Sequence, residues 1–414
     1  MICLQQTSNK IKVALILSSE GLPVPAVLGG AIESLVSSLV DKNEEHMLIE
    51  LVVVSRYDDA ITKLNSEYQY SKLYYYRDFI NIPNLIKSKL YGAYVLIKRY
   101  FPCFPTINIG YYRFVSNIVL REKVDYVIAE GGNYLGFERI SKILGKERVV
   151  IHIHHHLRGS PQLKRIFGKS ISVSNFVKRE WVGSAISADA TDVVLKNCIT
   201  HTSFKTIISN DDLLSLRFEL GYTEDDFVIL FCGRLVPEKG VKELIQAVLN
   251  ISDNRLKLLI IGSSNFGKIQ KQTKYESDIQ QLIENNVTKI KHIGYIPSDR
   301  LYQYFRLSNA LVIPSLCEEA APLTAIEGQL AGLPMIITNS GGMVEYTPDN
   351  GAIIVNKEEN IVLNLERAII YVLNNNLLDR VNKSYEFIVK HNPDEYYKHF
   401  ISIVNKWYDT ERIL

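Results

Sequence analysis

Short apolar runs rich in β-branched residues alternate along the chain with stretches of helical spacing. The run from Ile11 to Leu17 ends in SSEGLPVPAVLGG and gives way to AIESLVSSLV, which predicts a strand, a glycine loop and a helix. Runs at Glu50 to Ser55, Val124 to Glu130 and Arg148 to His154, with helical stretches between them, predict a parallel sheet. Between Ala60 and Asn117 the pattern dissolves into a tyrosine-rich, basic stretch, and no element is assigned there. The alternation weakens again from Thr200 to Glu224, then restarts with FVILFCGRL at Phe227 to Leu235. LKLLIIGS, KIKHIGYI, NALVIPS, PMIITN and GAIIVN repeat the scheme, as a second doubly wound unit would. The expected organisation is α/β, with a Rossmann-like domain over 1–205 and another over 206–393. In the terminal NPDEYYKHFISIVNKWYDTERIL, Tyr396, Phe400, Ile403 and Trp407 are spaced as an amphipathic helix over about 394–414. Its periodicity does not name a partner, and the first domain is one candidate.

Length and composition narrow the picture further. A chain of 414 residues exceeds the size at which one hydrophobic core stops growing. Its 47% hydrophobic and 22% charged residues suffice for two cores and argue against disorder. A formal charge of +2 and the lack of RNA-type aromatic motifs argue against a nucleic-acid partner. Cys3, Cys103, Cys198, Cys232 and Cys317 are odd in number and widely separated, which fits a reduced, cytoplasmic compartment better than a disulfide frame or a metal site. The start of the chain lacks the pattern of a signal peptide, and no run approaches the roughly 18 apolar residues that span a bilayer.

The densest cluster of candidate chemistry is VIPSLCEEAAPLTAIEGQLAGLPMIITNSGG. A strand leaving at Ser315, a loop carrying Glu319 and a helix carrying Glu327 place both carboxylates at the carboxyl end of a sheet, where open α/β sheets bind ligands. Two glutamates eight apart, taken alone, more often face water. FCGRLVPEKGVKELIQAV is a second strand, loop and helix, with Arg234 and Lys239 in the loop; a lone loop Arg and Lys are also ordinarily solvated. Gly29 and Gly30 precede a helix, where they either let the backbone approach a phosphate or form a plain turn. In IHIHHH, strand alternation turns His152 and His154 to one face and His155 to the other. The four imidazoles, His156 included, therefore do not converge, and no metal site is expected.

These strings together resemble family 4 of the retaining glycosyltransferases, whose two-domain fold is called GT-B. The resemblance covers nearly all of the second half, through Ser315, Glu319, Glu327, Gly332, Pro334, Gly341 and Gly342 in order. It implies two Rossmann-like domains facing across a cleft. It also implies that Glu319 contacts donor sugar hydroxyls and that Glu327 bonds the ribose of the nucleotide, with Glu318 the alternative to Glu319. Ala320, Ala321, Pro322, Leu323 and Thr324 would line the donor, and Pro322 departs from the glycine usual there, which removes one backbone N–H. By the same resemblance Arg234 and Lys239 neutralise the leaving diphosphate, and fixed cations of this kind stabilise the transition state more than the ground state. Tyr295 and Ile296 would meet the base, and Gly29 and Gly30 would lie under the diphosphate near the acceptor. His154 would stand in the cleft near the donor sugar, with His155 the runner-up, and Ser174 is read as structural.

The resemblance further implies a cytoplasmic enzyme that needs no cofactor. Its catalytic residues would be His154, Arg234, Lys239 and Glu319. The chain holds no D-x-D, so cations rather than a carboxylate-held metal would stabilise the leaving group, and transfer would be metal-independent. The donor would be a nucleotide diphosphate sugar, UDP-linked foremost. A saccharide or lipid-linked saccharide of a surface polysaccharide or glycoconjugate would accept the sugar, by a same-face route with retention. Three alternatives are a nucleotide-sugar epimerase of the same fold, an inactive partner subunit and a nucleic-acid binder. The stretch from Tyr68 to Arg113, with NLIKSKLYGAYVLIKRYF at its centre, reads either as a peripheral docking surface for anionic lipid at the inner membrane face or as a buried aromatic core.

Overall fold

The computed structural model describes residues 10–63, 68–77, 109–183, 191–199, 204, 208–263 and 273–413. Its first sheet contains β1 (Lys12–Ile16), β2 (Glu50–Arg56), β3 (Ser71–Tyr76), β4 (Tyr126–Ala129), β5 (Val149–Ile153), β6 (Lys169–Ser172) and β7 (Asp192–Val194). The strands are parallel and run in the order β3-β2-β1-β4-β5-β6-β7. A second parallel sheet contains β8 (Phe227–Cys232), β9 (Leu256–Ile261), β10 (Ile290–His292), β11 (Ala310–Ile313), β12 (Met335–Thr338) and β13 (Ile353–Val355), in the order β10-β9-β8-β11-β12-β13. Helices cover both faces of each sheet, which is why the central strands read as unbroken apolar runs rather than as alternating ones. In β1, Val13 and Leu15 enter one buried cluster while Ala14 and Ile16 enter the cluster on the opposite face.

Strand order reverses direction between β1 and β4 in the first sheet and between β8 and β11 in the second. At such a switch the two connections leave to opposite faces and open a crevice at the carboxyl ends. The loops that flank these two crevices carry most of the candidate residues.

The tyrosine-rich region holds structure that its pattern concealed. Tyr74, Tyr75 and Tyr76 belong to the edge strand β3, whose half-exposed side chains produce no apolar run. Tyr111 and Tyr112 lie on the helix Ile109–Glu122 and are buried, with the Tyr111 hydroxyl donating to the Leu17 carbonyl at 2.6 Å. Tyr111 and Tyr112 are packing residues, which for these two favours the core reading over the membrane-surface one. NLIKSKLYGAYVLIKRYF lies outside the described residues. No helix among those described is long and apolar enough to cross a membrane.

The terminal helix Pro393–Ile413 returns to the first sheet. Tyr396, Tyr397, Phe400, Ile401, Val404 and Trp407 join the cluster that contains Leu35, Leu39 and Val40 of the helix Ala31–His46. Tyr397 donates to Asn43 at 2.8 Å, and Lys169 pairs with Glu411 at 2.6 Å. Phe400 is fully buried, so Phe400→Ala should destabilise the protein by about 3–5 kcal/mol, read by denaturant unfolding. A loss below about 1 kcal/mol, the size of an ordinary surface change, would show that the helix does not complete this core.

Candidate active site

At the switch of the second sheet, the loop after β8 and the loop after β11 press against each other. Gly240 begins the helix Val241–Asn250 with φ 68°, and a Cβ there would lie 2.0 Å from the Pro314 carbonyl oxygen. Glycine is therefore required both for the backbone angle and for the close approach. The Leu316 N–H donates to the Glu238 carbonyl at 2.9 Å, tying the loops together along the same line. Across this seam Lys239 Nζ lies 2.5 Å from Glu319 Oε1, and the Ser315 hydroxyl donates to the same oxygen at 2.5 Å. Ser315 is in turn fixed by Thr338, whose hydroxyl donates to the Ser315 carbonyl at 2.7 Å. Adjacent Glu318 turns away and pairs with Lys357 at 2.7 Å. Of the two neighbouring carboxylates, Glu319 is the one beside Lys239.

Arg234 is exposed in the β8 loop and has no charged partner among the described residues. Glu327 sits on the helix Leu323–Leu330, partly accessible, and its carboxylate has no hydrogen bond or ion pair among the described residues. Burial raises its carboxyl to about 7, and its charge also bears on the Cys232 thiol at the end of β8. Pro322 caps the start of this helix, and the amides of Leu323 and Thr324 that follow make no hydrogen bond among the described residues. A helix start with free N–H groups favours an anion. The proline thus removes one donor without closing this end.

Gly341 and Gly342 close the pocket wall behind Glu319. The Gly342 N–H donates to the Glu319 carbonyl at 2.6 Å, and a Cβ on Gly342 would meet both the Ala320 carbonyl and the Ser174 hydroxyl. On the other side, Gly262 follows β9 with φ 130° and packs on the Gly233 carbonyl, where a Cβ would come within 1.9 Å. Its N–H donates to the Gly294 carbonyl at 2.7 Å, which brings Tyr295 next to the crevice. Tyr295 is exposed and Ile296 is partly buried against the second-domain core.

The first domain contributes the ends of β1, β4, β5 and β6. Gly29 and Gly30 have φ 78° and 99° ahead of the helix Ala31–His46, but the Glu33 carboxylate lies against Gly30 and accepts the Leu22 N–H at 3.0 Å. This helix start already faces a negative charge of its own, which makes it a poorer anion seat than its glycines imply. Beyond β4, a Cβ on Gly132 would lie 3.0 Å from Ser18, so the β1 and β4 loops are also in contact. Ser174 caps the helix Asn175–Val182 through its hydroxyl, a structural role. The same helix start receives Glu345 from the second domain, whose carboxylate accepts the Asn175 and Phe176 N–H groups at 2.7 Å each.

The histidines after β5 separate as strand alternation requires. His155 stacks on Tyr134, and His156 pairs with Glu180 at 2.9 Å. His152 and His154 share one face, with rings 4.0 Å apart, and both approach Glu130 from the end of β4. Burial would raise the Glu130 carboxyl, but the two imidazoles outweigh that and hold it down; burial together with His152 holds His154 down as well. Both directions favour a charged carboxylate and a neutral His154 imidazole. Sequence reasoning missed Glu130 and Glu345, because each acts on a neighbour 24 or more residues away. The only sequence signal for Glu130 is a glutamate at the end of an otherwise apolar strand run.

Comparison with known proteins agrees with this architecture. Residues 214–389 match the family described as Glycosyl transferases group 1. A glycosyltransferase from Rickettsia africae superposes with a TM-score of 0.70 at 18% identity, covering 96% of this chain and 99% of the other. Anabaena Alr3699/HepE in complex with UDP gives 0.68 at 18% identity, covering 95% and 100%. The chain therefore has the GT-B fold of two facing Rossmann-like domains, with a group 1 glycosyl transferase match in its second half. The lipopolysaccharide 1,2-N-acetylglucosaminetransferase of Salmonella typhimurium is 25% identical over 236 residues, 56% of this chain and 60% of that protein. The chain thus spans less than two thirds of that relative.

The raised Glu327 carboxyl has a measurable consequence. Native protein holds this proton more tightly than the unfolded chain, whose glutamates titrate near 4.5. The stabilisation this brings is full below that value and is lost as pH rises through about 7. Thermal melts should therefore show the wild-type midpoint falling relative to Glu327→Gln between those limits. Parallel pH profiles for the two proteins would mean that Glu327 is solvated.

Proposed function

We propose that this chain is a retaining glycosyltransferase that moves a sugar from a nucleotide diphosphate donor, UDP-linked foremost, to a saccharide or lipid-linked saccharide. The observation that carries the reading is the placement, on the loops after β8 and β11 and the helix that follows, of Arg234, the Lys239–Glu319 pair and the half-buried Glu327, with Arg234 and the Glu327 carboxylate unpaired among the described residues. A nucleotide diphosphate sugar has a chemical match for each group. Its diphosphate suits Arg234, Lys239 and the free amides of Leu323 and Thr324, and the ribose hydroxyls suit a carboxylate that has no other donor. Sugar hydroxyls suit Glu319 once the diphosphate draws Lys239 away from it. The UDP bound by Anabaena HepE and the transferase name of the Salmonella relative support the same reading.

In this mechanism the leaving diphosphate gains negative charge as the glycosidic bond breaks, and Arg234 and Lys239, already placed by donor binding, hold that charge without further reorganisation. No carboxylate is assigned as a nucleophile. The acceptor hydroxyl attacks from the face the diphosphate leaves, and a departing phosphate oxygen takes its proton, so the anomeric configuration is retained. Such a route depends on positioning more than on a side-chain base. The cations do the work of a metal, so the reaction proceeds in EDTA.

Arg234→Ala and Lys239→Ala should each lower sugar turnover by roughly 10²-fold, the cost of losing one fixed oxyanion-type partner, with melting preserved in Arg234→Ala and lowered in Lys239→Ala, which leaves the Glu319 charge without its partner. The measurement is product formation from nucleotide sugars in excess EDTA. Near-normal activity in the double variant would contradict the assignment, as would activity that appears only when Mg²⁺ or Mn²⁺ is restored.

A further inference from the structure

Glu130 has no part in the mechanism above, yet it is buried at 2% exposure at the carboxyl end of the strand beside β5. Its Oε2 lies 2.8 Å from His154 Nε2, within hydrogen-bond geometry, and 2.9 Å from His152 Nδ1, which is not in line for a bond. Glu130 Oε1 and both ring nitrogens of His152 are buried without hydrogen-bond partners among the described residues. No Lys or Arg pairs with this carboxylate among the described residues. The titratable groups around it are His152, His154 and the hydroxyls of Tyr134 and Tyr396, with His155 beyond His154. A buried carboxylate needs donors. The ring nitrogen aligned with it is His154 Nε2.

This contact settles what His154 can offer. An imidazole that spends its Nε2 proton on Glu130 and is otherwise neutral has a bare Nδ1, which accepts hydrogen bonds. The position matters because β5 neighbours β6, and the end of β6 meets the donor loop. Ile153, Val173 and Ala320 share one buried cluster, and Gly342 packs on Ser174. We infer that Glu130 is a positioning residue for the sugar-transfer site, holding the His154 imidazole as its Nε2–H tautomer so that Nδ1 accepts a hydrogen bond from a sugar hydroxyl in the cleft. This inference rests on the glycosyltransferase reading. It assigns His154 the role of acceptor, not of proton donor or cation, and so matches a neutral hydroxyl rather than a phosphate.

The alternative, a divalent cation, is also testable, since one donor atom from each of Glu130, His152 and His154 lies within 4.8 Å of the others. The experiment uses the full chain. Long-range ¹⁵N–¹H spectra of the histidine side chains, assigned with His154→Gln, are recorded for the wild type and Glu130→Gln between about pH 6 and 8, the range in which histidine usually titrates. Turnover of the same proteins and of the Glu130→Gln/His154→Gln double variant is measured with the preferred nucleotide sugar. The wild type should show His154 as a neutral Nε2–H tautomer, and Glu130→Gln a mixture of tautomers. Each single variant should lose roughly 10- to 100-fold in turnover, the worth of a hydrogen bond to a charged group, and the double variant no more than the worse single. A wild-type His154 that is Nδ1–H or doubly protonated overturns the inference, whatever the variants do. So does additive loss in the double variant, or one metal ion per purified chain that Glu130→Gln abolishes. Wild-type protein that transfers no sugar sinks the enzyme reading, whereas the tautomer spectrum judges the Glu130–His154 bond separately.

Discussion

Everything proposed for this site depends on two loops being forced together at the switch between β8 and β11. Gly240 admits the Pro314 carbonyl where no side chain could, and the Leu316–Glu238 hydrogen bond extends the seam. Only then can Lys239 reach Glu319 across 80 residues of sequence. The pair keeps a cation and an anion mutually compensated in a largely buried place, which avoids the cost of leaving either charge alone. A diphosphate sugar presents the complementary pair, an anion for the lysine and hydroxyl donors for the glutamate. Ligand entry can therefore exchange one set of partners for another instead of leaving a buried group unpaired.

Contact between the domains combines the packing of Ala320 into the apolar cluster of Ile153 and Val173 with polar, directional bonds. Glu345 reaches from the second domain to the start of the helix Asn175–Val182, where its charge meets two backbone N–H groups. Next to it, the Tyr346 hydroxyl donates to the Val173 carbonyl and accepts the Asn197 N–H, and Lys196 donates to the Glu345 carbonyl. These contacts cluster beside Ser174 and Gly342, so the joint between the domains and the wall of the donor site are the same piece of structure. The terminal helix supplies a second connection, since it leaves the second domain and completes the core of the first.

Much of this was legible in the chain because its signals are local. Apolar runs of four to seven residues marked the central strands, and Tyr396, Phe400 and Trp407 marked the terminal helix. Arg234, Lys239 and Glu319 stood out because each lies in a loop after a strong strand, and Glu327 because it follows on the next helix. What stayed hidden depends on distant contacts. β3 is an edge strand of Lys and Tyr with no continuous apolar face, and Glu130 acquires meaning only when β4 is placed beside β5. For Gly29 and Gly30 the pattern left a phosphate approach and a plain turn both open, and the Glu33 carboxylate that lies against Gly30 emerges only from the fold.

Hydrogen exchange of the whole protein with and without UDP tests the central claim most directly, because it locates binding without presuming a reaction. The account predicts slowed exchange at 233–240 and 315–327, the two loops that meet at the second-sheet switch, while the edge strand 71–76 is unaffected. Saturating nucleoside diphosphate that slows neither loop, or that protects only segments away from this crevice, would contradict it.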